Sequence, residues 1–105
     1  MPAAAPSDPT AQLQWLVDRA EVGDRLIAFA HALDAGDWAG YGALYTEDGS
    51  FEVPGVFRLA GREALVGGTT KALGAYEGTW HLSSNHAIDV DGDRATTRSY
   101  LHGVH

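Results

Sequence analysis

The stretch Ala32-Leu33-Asp34-Ala35-Gly36-Asp37-Trp38 marks the end of one predicted helix and the start of another. Gly36 is typical of the residue just past a helix C-terminus, and Asp37 is a typical N-cap for the helix that follows. Asp34 therefore falls in the last turn of the first helix, where the macrodipole carries partial negative charge. We expect this position to raise the pKa of the Asp34 carboxyl, which would make it a candidate proton acceptor. The alternative is a solvated aspartate that bonds a loop amide.

The first helix is predicted to begin at Asp8 and Pro9, a capping residue followed by proline at the first helical position. The residues before it are rich in proline and alanine, so residues 1–9 are predicted to form a disordered tail and residues 10–105 a single domain. The apolar stripe of the helix changes face along its length. This predicts either a break near Gly23 or one helix that touches two surfaces, the second of which could belong to another subunit.

The remaining chain predicts short strands and one further helix. A strand at Gly49–Val53 and a second at Phe57–Leu59 flank a Pro54-Gly55 turn, and a helix runs from Gly61 to about Leu73. Alternating residues from Thr79 onward predict an antiparallel meander, with Asp91-Gly92 as a hairpin turn. Its strands are Thr79–Ser84, Ala87–Val90 and Arg94–Val104. This order predicts an α+β fold.

The last predicted strand has nothing to cover its edge. We therefore expect either that the domain lacks its C-terminal strands or that another chain pairs with this edge. A chain of 105 residues also buries a modest fraction of its surface. Both observations favour a homo-oligomer, a dimer or a trimer.

Composition excludes several classes of function. The formal net charge is −7 with only seven basic residues, which argues against nucleic acid and anionic membrane surfaces as partners. The chain has no cysteine, so disulfides, thiolate chemistry and cysteine-ligated zinc are impossible. The sequence contains no signal peptide pattern and no apolar run of membrane-spanning length, so a cytoplasmic protein is expected.

Histidines are concentrated late in the chain, with four of the five after residue 80. Residues of equal parity share one face of a strand, so His81, Ser83 and Asn85 are predicted to point the same way. A sheet face with His81 and His105, covered by the helix that ends at Asp34, would place an acid–base pair in an apolar pocket. The alternative is that these histidines are structural residues of the sheet.

Metal and phosphate sites have weaker support. His81 and His86 face opposite sides of a regular strand, and no spacing of histidines and carboxylates matches a metal motif. Gly67-Gly68 lacks the rest of a phosphate-binding loop. No metal and no cofactor is predicted.

Six short segments, in this order, resemble the SnoaL-like group of the nuclear transport factor 2-like superfamily. They are Asp34–Trp38, Tyr45–Phe51, Gly61–Glu63, His81–His86, Asp91–Ala95 and Ser99–Tyr100. The resemblance runs from about Leu16 to His105. It implies a cone-shaped, curved mixed β-sheet wrapped by N-terminal helices, with a pocket in its mouth. The family includes polyketide cyclases, scytalone dehydratase, steroid isomerases and the small subunit of ring-hydroxylating dioxygenases.

The resemblance also implies roles for individual residues. Asp34 matches the pocket aspartate of the dehydratases, His81 their catalytic histidine, and His105 a second pocket histidine. The dehydratases have a tyrosine just before the aspartate or a few residues earlier, whereas Leu33 precedes Asp34 here. Tyr41, Tyr45 or Tyr100 would then have to donate the proton. Aromatic side chains are core residues by default, and some of them line ligand cavities in such proteins. The candidate substrate-binding residues are Trp38, Tyr41, Tyr45, Phe51, Asn85 and Tyr100.

Two functions remain open at this point, because fold does not fix function. The first is a cofactor-independent lyase, cyclase or isomerase that acts on an apolar, polyketide- or steroid-like compound by Asp–His general acid–base catalysis. The second is a non-catalytic module of the same fold that binds a ligand or assembles subunits.

Overall fold

The computed structural model describes residues 5–105 and confirms an α+β fold. Three helices and four strands follow one another along the chain. They are α1 (Pro9–Ala35), α2 (Trp38–Ala43), β1 (Ser50–Val53), β2 (Phe57–Ala60), α3 (Arg62–Leu73), β3 (Trp80–Asp91) and β4 (Arg94–Val104). Strand β1 pairs with β2, and β3 pairs with β4, so the described strands form two separate antiparallel pairs. No helix among residues 5–105 is long and apolar enough to cross a membrane.

Helix α1 is continuous from Pro9 to Ala35, so of the two predicted alternatives the break near Gly23 is wrong. A glycine inside a helix costs about 1 kcal/mol relative to alanine, which packing on one face readily offsets. Gly23 lies against Ile88, since a Cβ at this glycine would be 3.7 Å from Ile88 Cδ1. At the start of the helix, the Ala11 backbone N–H donates to Asp8 Oδ2 at 3.0 Å, which confirms Asp8 as the N-cap.

The predicted tail, residues 1–9, overlaps the helix by one residue, because α1 begins at Pro9. Residues 1–4 of the tail lie outside the described residues. The domain boundary at residue 10 therefore stays a prediction.

The end of α1 has the local geometry that its glycine predicts. Gly36 has a φ of +65°, its N–H donates to the Leu33 carbonyl at 3.2 Å, and the Asp37 N–H donates to the Ala32 carbonyl at 2.9 Å. These two bonds satisfy carbonyls that would otherwise have no partner at the helix end. Asp37 then caps α2 by accepting the Gly40 N–H at 2.9 Å.

The predicted three-stranded meander is wrong, because a single strand, β3, runs from Trp80 to Asp91 and takes in nearly all of Thr79–Ser84 and the whole of Ala87–Val90. Asn85 in its middle has a φ of +54°, a left-handed conformation that asparagine tolerates better than most residues. The alternation of exposure shifts by one residue there: Ser84 and His86 are partly buried, whereas Asn85 is exposed. The strand therefore continues through an irregular residue, and the predicted single parity of His81, Ser83 and Asn85 fails at Asn85.

The chain divides into two compact units. One combines α1 up to Ile27 with Leu82–His102, and the other combines Ala28–His81 with Gly103–His105. In the first unit, Arg19 donates to the Ile88 carbonyl at 2.8 Å and its guanidinium lies 4.6 Å from the centroid of the Trp15 ring.

The second unit contains a core built from α1, α2 and α3. Its buried members are Ala32, Leu33, Tyr41 and Leu65. Leu65 is 0% exposed and Tyr41 is 1% exposed. The Tyr41 hydroxyl contacts Thr69 Oγ1 at 3.2 Å and the Tyr45 hydroxyl at 3.3 Å, so the one polar atom of this ring has partners inside the core.

Leu65→Ala should lower the free energy of unfolding by about 2–5 kcal/mol, because it removes a fully buried side chain and leaves a cavity. Val56→Ala is the matched control: Val56 is 74% exposed, and its truncation should change stability by less than about 0.5 kcal/mol. Urea titration of both variants measures the difference. Equal losses in the two variants would contradict this core.

Candidate active site

Asp34 and His81 are in direct contact. His81 Nδ1 lies 2.6 Å from Asp34 Oδ1, and the His81 backbone N–H donates to Asp34 Oδ2 at 3.0 Å. The Thr79 hydroxyl donates to Asp34 Oδ1 at 3.0 Å. Both carboxylate oxygens are therefore occupied by donors from the segment that leads into β3.

Local structure explains how these groups meet. Asp34 is in the last turn of α1, which ends at the Gly36 turn. Thr79 immediately precedes β3 and His81 is its second residue, a spacing of two that places both side chains on the same side of an extended chain. The His81 side chain is 6% exposed and the Asp34 side chain 25% exposed. The imidazole is therefore withdrawn from water, while the carboxylate keeps some contact with it.

The predicted upward shift of the Asp34 pKa is wrong. Burial alone would raise the pKa of this carboxyl, but the hydrogen bonds from the His81 ring, the His81 backbone N–H and Thr79, with the charge of His81, together hold it below its usual 3.8. The helix macrodipole is offset by three donors that the local sequence around Asp34 does not reveal. Three donors therefore hold the Asp34 carboxylate against His81, and its role in proton transfer stays a prediction.

An ionised Asp34 fixes the tautomer of His81. A carboxylate can only accept hydrogen bonds, so the proton between the two groups belongs to His81 Nδ1. A neutral imidazole with its proton on Nδ1 has its lone pair on Nε2. In this tautomer His81 Nε2 is the ring nitrogen that carries no proton.

His105 and Tyr76 extend the site beyond the His81 ring. The His81 and His105 ring centroids are 5.5 Å apart, and those of His105 and Tyr76 are 5.0 Å apart. A Cβ at Gly103 would lie 3.4 Å from His81 Nε2, so glycine at this position keeps a side chain away from that nitrogen. The three rings thus form a row that leads away from Asp34.

A cavity of about 280 Å³ lies on the Asp34 side of the site. Its walls include Asp34 and Thr79, with Trp38 and Tyr76 as the aromatic members. The other wall residues are Leu33, Ala35, Gly36, Leu73, Gly74, Glu77 and Gly78. Polar atoms make up more of the cavity surface than apolar atoms, and Glu77 is a second carboxylate beside Asp34. A larger cavity of about 660 Å³ lies elsewhere in the same unit, against α2 and Arg62 of α3.

The structure brings some of the predicted site residues together and separates others. Asp34, His81 and His105 lie side by side, and Trp38 lines the cavity beside Asp34. Tyr41 is a core residue, and Tyr45 and Phe51 pack against that core. Their roles in binding or catalysis stay predictions.

Tyr45 is poorly suited to proton donation. Burial and the neighbouring Tyr41 hydroxyl raise the Tyr45 pKa well above its usual 10.0. Asn85 and Tyr100 belong to the unit that does not contain His81, and Tyr100 is 71% exposed.

Two residues of the site were not predicted from the sequence. The place of Thr79 could be predicted from its spacing, because it stands two residues before His81 and therefore shares its side of the extended chain. Tyr76 has none, because it lies in the turn between α3 and β3 and reaches His105 only through tertiary structure. Among residues 5–105, no group of three or more histidine, aspartate or glutamate side chains could hold a metal ion.

Comparison with known proteins now places the chain in a family. A family model described as a SnoaL-like domain matches residues 14–105. The chain belongs to the SnoaL-like domain family. No curated protein matches it.

Solved structures support the same fold. A protein from Novosphingobium aromaticivorans, provisionally named an aromatic ring hydroxylase, is 28% identical over 84% of this chain and 64% of its own, with a TM-score of 0.78. A second protein from that organism, provisionally named a scytalone dehydratase, is 26% identical over 84% of this chain and 60% of its own, with a TM-score of 0.77. Other similar structures have an NTF2-like, cystatin-like fold.

One further structure was solved with a ligand. A protein from Catenulispora acidiphila in complex with S-DNPA is 30% identical over 82% of this chain and 65% of its own, with a TM-score of 0.71. This SnoaL-like chain spans less than two thirds of the length of each of these three proteins.

The lowered pKa of Asp34 predicts how the stability of this SnoaL-like domain depends on pH. A carboxyl whose folded pKa is below its unfolded value stabilises the fold above the unfolded pKa, here 3.8, and loses that contribution as the pH falls through the folded pKa. Asp34→Asn should therefore be less stable than the wild type by about 1–3 kcal/mol near neutral pH, and the gap should close at acidic pH.

Asp24→Asn, an exposed aspartate of the same helix, is the control and should leave the pH profile of unfolding unchanged. Thermal unfolding of the three proteins from neutral to strongly acidic pH measures the difference. A gap between Asp34→Asn and the wild type that is constant over the whole range would contradict the lowered pKa.

Proposed function

We propose that this SnoaL-like domain binds a small apolar organic ligand and removes a proton next to a carbonyl group. His81 Nε2 is the general base, and Asp34 holds the ring and stabilises the imidazolium that forms. The contact between Asp34 Oδ1 and His81 Nδ1 at 2.6 Å carries the proposal. The family's provisionally named dehydratase is consistent with it.

The proposed step needs no cofactor. The Cα–H bond of the substrate breaks, its proton goes to His81 Nε2, and its electron pair enters an enolate. In a dehydration, the enolate then expels a β-hydroxyl, which takes the proton back from the His81 imidazolium and leaves as water. In an isomerisation, the same proton returns at a different carbon. His105 lies close enough to the His81 ring to serve as the donor to the developing oxyanion.

The cavity beside Asp34 supplies part of the surface for a ring-containing ligand, and neither His81 nor His105 is among its walls. Trp38 and Tyr76 offer aromatic faces, and Leu33 and Leu73 offer aliphatic surface. A complex of a related protein with S-DNPA supports small organic ligands for this family. Polyketide- and steroid-like ketones fit this chemistry, and a non-catalytic binding module is the alternative.

Solvent exchange at an acidic carbon tests the shared first step without knowledge of the natural substrate. 2-Tetralone, a bicyclic aromatic ketone, is dissolved in D₂O with the protein, and loss of its α-proton signals is followed by NMR. We expect the wild type to accelerate this exchange. His81→Ala and Asp34→Asn should each lower the rate of protein-catalysed exchange by about 100-fold or more. The double variant should be little worse than either single one, because the pair acts as a unit.

His86→Ala is the matched control, since His86 is another β3 histidine that contacts Ser99 Oγ at 2.8 Å. It should exchange the ketone at the wild-type rate. Tetralone that binds and protects the protein against thermal unfolding, but exchanges no faster than in buffer, would favour the binding module instead.

We also propose that the domain forms a homo-oligomer through the N-terminal half of α1. Leu13, Leu16 and Val17 of this helix are all exposed in the single chain, which leaves an apolar stripe open to a partner. Sedimentation should give a dimer or trimer for the wild type, and Leu16→Asp should dissociate it. Sedimentation of the wild type as a monomer at micromolar concentration would contradict this proposal.

A further inference from the structure

Thr79 shares an acceptor atom with His81. Its hydroxyl donates to Asp34 Oδ1 at 3.0 Å, and the same oxygen accepts from His81 Nδ1 at 2.6 Å. The second oxygen, Oδ2, accepts the His81 backbone N–H. The carboxylate is therefore held at both ends, by two donors on one oxygen and one on the other.

The hydroxyl adds a third restraint on the carboxylate plane. The terminal torsion of an aspartate side chain is broad, and the two His81 donors hold one oxygen each, so a second donor on Oδ1 narrows the rotation that remains. At a helix C-terminus the negative charge is also disfavoured, which adds to the tendency of the group to move or to take up a proton. A donor from residue 79 restrains Oδ1 in the position that faces the imidazole.

We propose that Thr79 is a positioning residue for the Asp34–His81 pair. Through its bond to Oδ1 it holds Asp34 against His81 Nδ1, so that the ring keeps its orientation and Nε2 is the nitrogen left to accept the substrate proton. This inference rests on the proposed function for its catalytic meaning, but its geometric part can be measured without any substrate. Thr79 and Asp34 both line the cavity of about 280 Å³.

The test uses variants that differ only in the donor. Thr79→Val keeps the shape of the side chain and removes the hydroxyl, whereas Thr79→Ser keeps the hydroxyl. Thr79→Ala is a second deletion in case the valine variant does not fold, and circular dichroism checks all three. The readouts are the NMR signal of the His81 Nδ1–H proton, the carboxyl titration of Asp34 and the exchange of 2-tetralone.

We expect Thr79→Val to shift the Nδ1–H signal and to speed its exchange with water by about tenfold. The Asp34 pKa should rise towards its usual value, because one of the bonds that lower it is lost. With 2-tetralone, kcat should fall by about tenfold, because the lost bond weakens the hold of Asp34 on His81. Thr79→Ser should restore all three readouts.

The two possible failures are distinguishable. A folded Thr79→Val protein with the wild-type Nδ1–H signal and Asp34 titration would overturn the role of Thr79, whatever the activity. Exchange of 2-tetralone that survives His81→Ala would overturn the proposed function. An equal loss of kcat in Thr79→Val and Thr79→Ser would also overturn the inference, because the hydroxyl would then not be the group that matters.

Discussion

The Asp34 carboxylate is the constraint on which the candidate site depends. A negative charge in the last turn of a helix is unfavourable by itself, because the free carbonyls there carry partial negative charge. Three donors offset this cost: the Thr79 hydroxyl, the His81 backbone N–H and the His81 ring. The same three bonds tie the end of α1 to the start of β3, so the interaction that stabilises the charge also fixes the position of the imidazole.

Features that depend on neighbouring residues could be predicted from the sequence. Asp8 as a cap, Gly36 as the end of α1 and Asp37 as the cap of α2 are all confirmed, because each is decided by a hydrogen bond or a φ angle within a few residues. The direction of the Asp34 pKa could not be predicted in this way. The helix macrodipole is visible in the local sequence, whereas the donors that outweigh it stand 45 and 47 residues further along the chain.

The strands show the same limit. Alternation of apolar and polar residues suggested two strands before the Asp91-Gly92 turn, since the pattern breaks between them. The break is real, but its cause is one residue: Asn85 adopts a positive φ, and the strand resumes with the opposite parity. A pattern of side chains records the change of parity without revealing whether the backbone ends or continues. The pairing of Asp34 with His81 could nevertheless be predicted, because the helix end locates Asp34 and the family resemblance points to His81.

The geometry around His81 separates two tasks that acid–base catalysis must combine. On one side of the ring, Nδ1 is held by the restrained Asp34 carboxylate. This contact limits rotation of the imidazole ring. On the other side, Nε2 must remain open to a substrate. Glycine at residue 103 suits that need, because a Cβ there would lie 3.3 Å from Cδ2 and 3.4 Å from Nε2 of the His81 ring. The Nδ1 side of the ring is therefore held by Asp34, whereas Gly103 contributes no side chain on the Nε2 side. In the proposed function, that asymmetry makes Nε2 the nitrogen that takes the substrate proton.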